Sequence, residues 1–332
     1  MLFDYTIEKE KCNGILLKEQ SMILNTGSRT DIPAYYSRWF YNRIKEGYVY
    51  VRSPYNPAHI TKYILSPQVI DMIVFCTKNP YPMLGQISCL SGFDLFWFVT
   101  ITPYGKEIEP FVPDKREVIR SFQKLSDIVG YKKMSWRYDP VLITDKYTVD
   151  YHISSFRKMA GMLKGYTDQC VVSFLDLYEK TKRNFKEAKS VGRKEQDELI
   201  GAMGQYAAEN GMQIHLCCEN SSLVRSHVDA DGCLSQKVLE RAAGYRLDVP
   251  KKKSARKECS CLLGADIGAY NTCGHGCLYC YANYDRHTVV SNMKNHDAAS
   301  PLLIGRPKEG DVISTADQKL WKNEQMSIFD YM

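Results

Sequence analysis

No run of about 18 apolar residues occurs in this chain, and with that goes any segment able to cross a bilayer as a helix. The opening stretch MLFDYTIEKEKCNG also lacks a basic region followed by an apolar one, the order a secretory signal requires. A cytoplasmic setting, with no membrane partner, is the expectation. Charge of one sign is not in large excess: Lys+Arg number 44 against Asp+Glu 38, a net +6. That is compatible with a nucleic-acid partner without requiring one. Cysteine, by contrast, is plentiful. Twelve in a chain without an export signal argue against a disulfide framework, because the cytosol keeps thiols reduced. They favour metal or cluster chemistry, and eight of the 12 lie between Cys217 and Cys280.

At 332 residues, 44% hydrophobic and 25% charged, the chain is long enough for one large barrel-type domain or two ordinary ones. Short runs rich in Val, Ile, Phe and Trp predict strands at Ser21–Asn25, Tyr48–Arg52, Asp71–Cys76, Leu95–Ile101, Lys133–Tyr138, Gln169–Leu175 and Met212–Cys217. Helix-like stretches come between them, at Tyr35–Glu46, Asp114–Val129, Thr148–Lys164 and Glu195–Asn210. Asp114 reads as an N-cap, and Asn210-Gly211 as a helix stop. Seven strands alternating with helices predict an α/β fold with a parallel sheet, a (β/α) barrel-like core, TIM-type or partial, over residues 1–220. A doubly wound open sheet is the alternative. Residues 221–332 read as a loop-rich, cysteine-bearing C-terminal region.

In such sheets the working residues stand at the C-terminal strand ends. Those ends carry Arg29 and Asp31 in NTGSRTDIPA, Arg52 after YVYV, Lys78 after IVFCT, and Thr102 after WFVTI. Further along are Arg137 and Asp139 in SWRYDP, Asp176 after VVSFL, and Glu219 after HLCC. Arg29, Asp31, Arg137 and Asp139 are the catalytic candidates. Arg52 and Glu219, with Tyr279 from the cysteine block, are the candidate cofactor contacts. Arginine forks suit carboxylates and phosphates.

The run TCGHGCLYCYAN places Cys273, Cys277 and Cys280 at C-x3-C-x2-C spacing. Three thiolates in one loop can hold a cubane iron–sulfur cluster and leave one of its four irons open. Gly274 and Gly276 suit such a loop, since they accept backbone angles that a side chain forbids. This spacing, with Tyr279 and Tyr281 around the last cysteine, resembles the radical S-adenosylmethionine superfamily. There the open iron binds the cofactor's amino and carboxylate groups, and the cofactor is cleaved reductively to a 5′-deoxyadenosyl radical. The alternative is structural zinc, with a fourth ligand from His275 or a distant cysteine.

A second group comprises Cys217, Cys218, Cys233, Cys259 and Cys261. Alternation along the last strand predicts that Cys217 faces the core and Cys218 the mouth. Cys218, Cys233, Cys259 and Cys261 are then the candidate ligands of a second [4Fe–4S] cluster or a zinc ion. Cys76 and Cys170, in strand-like runs, read as core residues.

SRTDIPA at Ser28–Ala34, the paired cysteines before ADIGAYNTC, and CGHGCLYCYAN together resemble the bacterial family called domain of unknown function 1848. That family resembles radical S-adenosylmethionine enzymes and shares features with spore photoproduct lyase-like proteins. The resemblance implies S-adenosylmethionine as cofactor, Cys273, Cys277 and Cys280 as the cluster ligands, and a flavodoxin- or ferredoxin-like electron donor. One departure is that no glycine-glycine-acid motif follows a strand.

Near the end, Gln325–Phe329 (QMSIF) is similar to the peptide by which bacterial repair proteins dock on the DNA sliding clamp, with aliphatic and aromatic anchors for an apolar pocket. Together with the basic run KKKSARK at Lys251–Lys257, it points to DNA as a partner and to a repair setting. The competing reading is a zinc-stabilised, non-catalytic protein that binds nucleic acid or the clamp.

Overall fold

The architecture is that of a computed structural model in which residues 23–176, 179–250, 261–262 and 264–323 are described. Cys259, the Lys251–Lys257 run and the Gln325–Phe329 tail lie outside the described residues. Strand β1 (Ile23–Asn25) leads through the one-turn helix α1 (Ile32–Tyr35) into α2 (Ser37–Glu46). A hairpin of β2 (Tyr48–Arg52) and β3 (His59–Ile64) precedes β4 (Met72–Thr77) and β5 (Leu95–Thr100). Then come α3 (Lys115–Val129), β6 (Met134–Val141), α4 (Val149–Leu163), β7 (Gln169–Phe174), α5 (Glu179–Asn184), α6 (Arg193–Glu209) and β8 (Gln213–Leu216). The rest supplies β9 (Val228–Asp229), α7 (Gln236–Ala243), β10 (Ala265–Asp266), α8 (Arg286–Lys294) and β11 (Val312–Thr315).

Eight strands form one parallel sheet in the order β10-β1-β4-β5-β6-β7-β8-β9. Its strands are buried on both faces, and alternate side chains enter two different cores. Ile73, Phe75, Leu95, Trp97 and Val99 join the core built with the helices, where Trp39, Phe122, Phe156 and Leu199 pack. Met72, Val74, Phe96 and Phe98 face a second cluster with Val238, Leu239 and Ala242 of α7 and with Trp321. Polar contacts fix α7 and its neighbours at the starts of the strands. Tyr245 Oη donates to Asp71 O at 3.2 Å and to Asp94 Oδ2 at 3.1 Å, and Arg241 pairs with Asp168 at 2.7 Å. The inner face is therefore filled at the N-terminal ends of the strands, and any space on it lies at their C-terminal ends.

The helices start and stop where the sequence predicts. Asp114 caps α3 by accepting from Arg116 N, Thr148 caps α4, and Gly211 follows α6 in the left-handed region at φ 72°. The Tyr48–Arg52 segment differs from expectation. It is not a strand of the parallel sheet: β2 pairs antiparallel with β3, and β11 adds to β3 in a separate three-stranded sheet. The physical reason is the link that follows Arg52. It carries no helix, and only an antiparallel neighbour can be reached without a crossover.

Between β6 and α4, a buried polar knot shapes the strand ends. The carbonyl of Leu142 can only accept, so His152 carries its proton on Nε2 and donates at 2.8 Å, while Nδ1 accepts from the Tyr138 hydroxyl at 2.7 Å. Burial pushes this imidazole down to about 4. A histidine depressed in the folded state contributes stability that is fully present above its unfolded value of about 6.5 and is lost as pH falls towards 4, about 3 kcal/mol in all. Denaturant unfolding of wild type and His152→Gln at pH 7.5 and 4.5 checks this. The stability gap between the two proteins narrows by about 2–3 kcal/mol at the lower pH; a gap unchanged with pH contradicts the assignment.

Candidate functional site

A cavity of about 480 Å³ opens at the C-terminal ends of β1, β4, β5, β6, β7 and β8. Its size lies within the roughly 300–1,000 Å³ usual for small-molecule sites. It is the place where crossover sheets bind ligands, beyond the carboxyl ends of the strands. Cys273, Cys277 and Cys280 line it, and so do Cys217, Cys218, Cys233 and Cys261. Two groups of thiols, separate in sequence, therefore share one chamber.

The loop carrying the triad is held by the N-terminal segment. Asp31 accepts from three donors: Ala34 N at 3.0 Å as the cap of α1, Lys78 N at 2.8 Å, and His275 Nε2 at 2.8 Å. Tyr35 Oη reaches His275 Nδ1 at 3.0 Å, Tyr36 Oη donates to Thr272 O at 2.6 Å, and Tyr281 Oη donates to Ser28 O at 2.7 Å. This explains why SRTDIPA and the cysteine block occur together: one clamps the other. The two glycines serve different ends. A Cβ at Gly274 would stand 2.7 Å from the Tyr35 ring, whereas Gly276 has φ +69°.

His275 is buried, and both its ring nitrogens are engaged. It is therefore not a spare fourth ligand, and the triad offers three thiol donors facing the cavity. Each of the three is partly open through the cavity and enclosed by protein on its other sides. Desolvation accordingly pushes the Cys273 thiol well up, and the Cys277 thiol to about 12 despite the nearby Lys78 ammonium. A metal or cluster that binds here must displace those protons. Among the described residues, no three His, Cys, Asp or Glu side chains already stand around the position of a single ion.

Cations sit beside both thiol groups. Lys78 Nζ bonds Glu109 Oε1 at 2.8 Å and lies 5.6 Å from the centre of the Tyr279 ring. Burial alone would push this ammonium down, but Glu109 and the adjacent Cys277 hold it up. Arg137 grips Asp139 through Nε and Nη2, and Ser173 Oγ donates to the other carboxylate oxygen. Burial would weaken the Arg137 charge, but Asp139 and the thiols of Cys76, Cys233 and Cys217 keep it. Glu219 accepts from Phe174 N at 2.7 Å. Burial lifts its pKa to about 7, with Asp176, Asp139 and Cys218 adding to the rise, so near neutral pH it can hold or release a proton.

The sequence candidates divide accordingly. Asp31, Lys78, Arg137, Asp139, Asp176, Glu219 and Tyr279 line the cavity. Arg29 does not. Its Nε pairs with Asp266 at 3.0 Å and its Nη2 donates to Asp266 O, locking β1 to β10. Arg52 does not either. It ends a strand of the second sheet and makes a two-pronged pair with Asp311 at 2.7 Å. Thr102 is buried and donates to Glu109 at 2.7 Å. In the second thiol group, Cys217 is not simply a core residue as alternation predicts: its Sγ lies 3.6 Å from that of Cys233. The rule fails because β8 ends at Leu216 and Cys218 adopts φ 58°, which turns both neighbours towards the cavity.

Sequence reasoning missed Glu109 and His275 as organising residues. Glu109 is 1% exposed and binds Lys78, Lys115, Thr102 and the Tyr279 hydroxyl. Burial alone would raise it, yet the two ammonium groups hold it at about 2.

Residues 23–282 match the family described as a domain of unknown function (DUF1848). The chain belongs to this family. The matched span begins at β1 and ends two residues beyond Cys280, so it takes in the whole parallel sheet and every cavity-lining cysteine. Neither the curated proteins nor the solved structures give a significant match.

Proposed function

We propose that the protein is a radical S-adenosylmethionine enzyme, with Cys273, Cys277 and Cys280 as ligands of a [4Fe–4S] cluster. The observation that carries this reading is the triad's setting: three thiols on one loop facing the cavity, with the neighbouring His275 fully occupied elsewhere. Strand order supports it too. From β1 to β9 the parallel sheet runs β1-β4-β5-β6-β7-β8-β9 without reversal, an order compatible with the partial (β/α) barrel we propose.

When bound, the cluster and S-adenosylmethionine would supply reductive cleavage of the cofactor and a radical able to take a hydrogen atom from substrate. The chain's own residues do the rest. Lys78, with Lys115 behind it, places positive charge beside the thiolates. Arg137, braced by Asp139 and Ser173, fixes a charged wall for an anionic group. Glu219, lifted to about 7 just beyond β8, can hold or release a proton there. An acidic flavodoxin- or ferredoxin-like donor would deliver the electron. We take a damaged nucleotide as the favoured substrate class, on the strength of the clamp-like tail and the basic run; it would have to leave the base stack to reach the cavity.

The test is direct. Reduced protein, prepared without oxygen and mixed with S-adenosylmethionine, forms 5′-deoxyadenosine detectable by chromatography. Intact cofactor after prolonged incubation with iron-replete protein rules the reading out.

A further inference from the structure

The second thiol group has a geometry of its own. Cys233 Sγ lies 3.6 Å from Cys217 Sγ and 3.3 Å from Cys261 Sγ, and Cys218, next in sequence to Cys217, lines the same cavity wall. Three sulfurs thus form a contact chain with Cys218 beside it, drawn from the end of β8, the segment before α7 and the segment before β10. In a cubane cluster each cysteine binds a different iron, and the cluster's own bulk keeps the sulfurs apart. Cysteines gathered this closely suit the ligand set of a single ion better than that of a cubane. We propose that Cys217, Cys218, Cys233 and Cys261 form a mononuclear tetrathiolate metal site of the zinc type, set in the wall of the same cavity.

The sulfurs are not yet at bonding positions around one ion. The Cys217–Cys233 and Cys233–Cys261 separations are shorter than the edges of about 3.8 Å that follow from tetrahedral bonds of about 2.3 Å. Loading the ion spreads them by a few tenths of an ångström. Surrounding groups suit a thiolate-rich centre. The buried Arg137 charge is coupled to Cys217 and Cys233, offsetting the net negative charge of four thiolates on a divalent ion. Leu234 N donates to Cys261 Sγ at 3.4 Å, the kind of bond that orients a ligand sulfur. Cys218 holds φ 58°, a backbone region uncommon for residues other than glycine, and it is this turn that lets two adjacent cysteines serve one centre.

Four thiolates fill a zinc ion's coordination, so this site is closed and structural. It pins the C-terminal segments to the sheet and completes the chamber into which the triad faces. The inference does not depend on the cluster reading, and the two fail separately.

Full-length protein is purified without oxygen and its zinc and iron are counted, then metal-free protein is titrated with cobalt(II) alone. Wild type carries about one zinc per chain apart from any iron, and cobalt gives the intense visible bands of a tetrahedral thiolate centre. Cys217→Ser and, as a second variant, Cys218→Ser each lose that zinc and weaken the cobalt bands by more than about 100-fold in affinity. Cys277→Ser keeps them. Loss of about four irons rather than one zinc in Cys217→Ser would show a second cubane and overturn the proposal. So would a wild-type protein without zinc and without cobalt bands, or bands that survive in both Cys217→Ser and Cys218→Ser.

Discussion

Replacing Cys277 with alanine is expected to bring iron from about four per chain to near zero and to reduce 5′-deoxyadenosine formation to background. Two thiols of the loop cannot retain a cubane, and the adjacent His275 cannot stand in, being committed to Asp31 and Tyr35. The fold should survive the change. Cys277 lies on the cavity wall, outside the packed clusters, and its loop is held by other groups. Leu278 N donates to Ile108 O at 3.0 Å, Asn283 Nδ2 donates to Cys273 O at 2.8 Å, and Tyr36 donates to Thr272 O. Circular dichroism of Cys277→Ala therefore matches wild type. Cys89, which is exposed and does not line the cavity, is the control: Cys89→Ala changes neither iron content nor cofactor cleavage. Equal loss in both variants would mean general thiol damage and not ligand loss.

Glu109→Gln is expected to have the largest effect on stability. Its carboxylate is almost wholly buried and neutralises two ammonium groups, Lys78 and Lys115, while accepting from Thr102 and Tyr279. The amide keeps the shape but leaves two buried cations facing each other. Removing one partner of a buried charge set costs about 3–5 kcal/mol, which lowers the melting temperature by on the order of 10 °C. Lys115→Met costs much less, because Lys78 still pairs the carboxylate. Acid titration gives the same result by another route. Glu109 is held at about 2 in the folded protein. Its contribution is thus complete above the unfolded value of about 4.3 and is lost as pH falls towards 2. Thermal scans of wild type, Glu109→Gln and Lys115→Met decide the point; equal melting temperatures for the two variants would mean that the charges are not coupled.

Much of the sheet was legible because its strands are buried on both faces. Runs such as MIVFCT and LFWFVT admit almost no polar residue, and their limits fall within a residue or two of β4 and β5. Tyr48–Arg52 was legible as a strand but not as a member of the smaller sheet. The other strands of that sheet, His59–Ile64 and Val312–Thr315, are largely solvent-accessible and mixed in character, so no apolar run marks them. Arg52 was misplaced with it. The strand-end rule found Arg137, Asp139, Lys78 and Glu219 in the cavity, yet it could not show that Arg29 is spent on Asp266, a partner 237 residues away. Glu109 lies in a loop without periodicity, and two of its four partners, Lys78 and Tyr279, are distant in sequence. A carboxylate within reach of two lysines by chain alone, at Lys106 and Lys115, was the only local hint. Cys217 escaped because alternation holds inside a strand and not one residue past its end.

The central claim is that the cavity holds a cluster with an iron available to S-adenosylmethionine. The measurement that tests it most directly is the electron paramagnetic resonance spectrum of anaerobic, reduced protein with and without S-adenosylmethionine, alongside iron and sulfide content. The account predicts about four irons and four sulfides per chain and a reduced-cluster signal that changes when the cofactor is added. A signal indifferent to the cofactor, or protein that carries zinc and no iron, would contradict it.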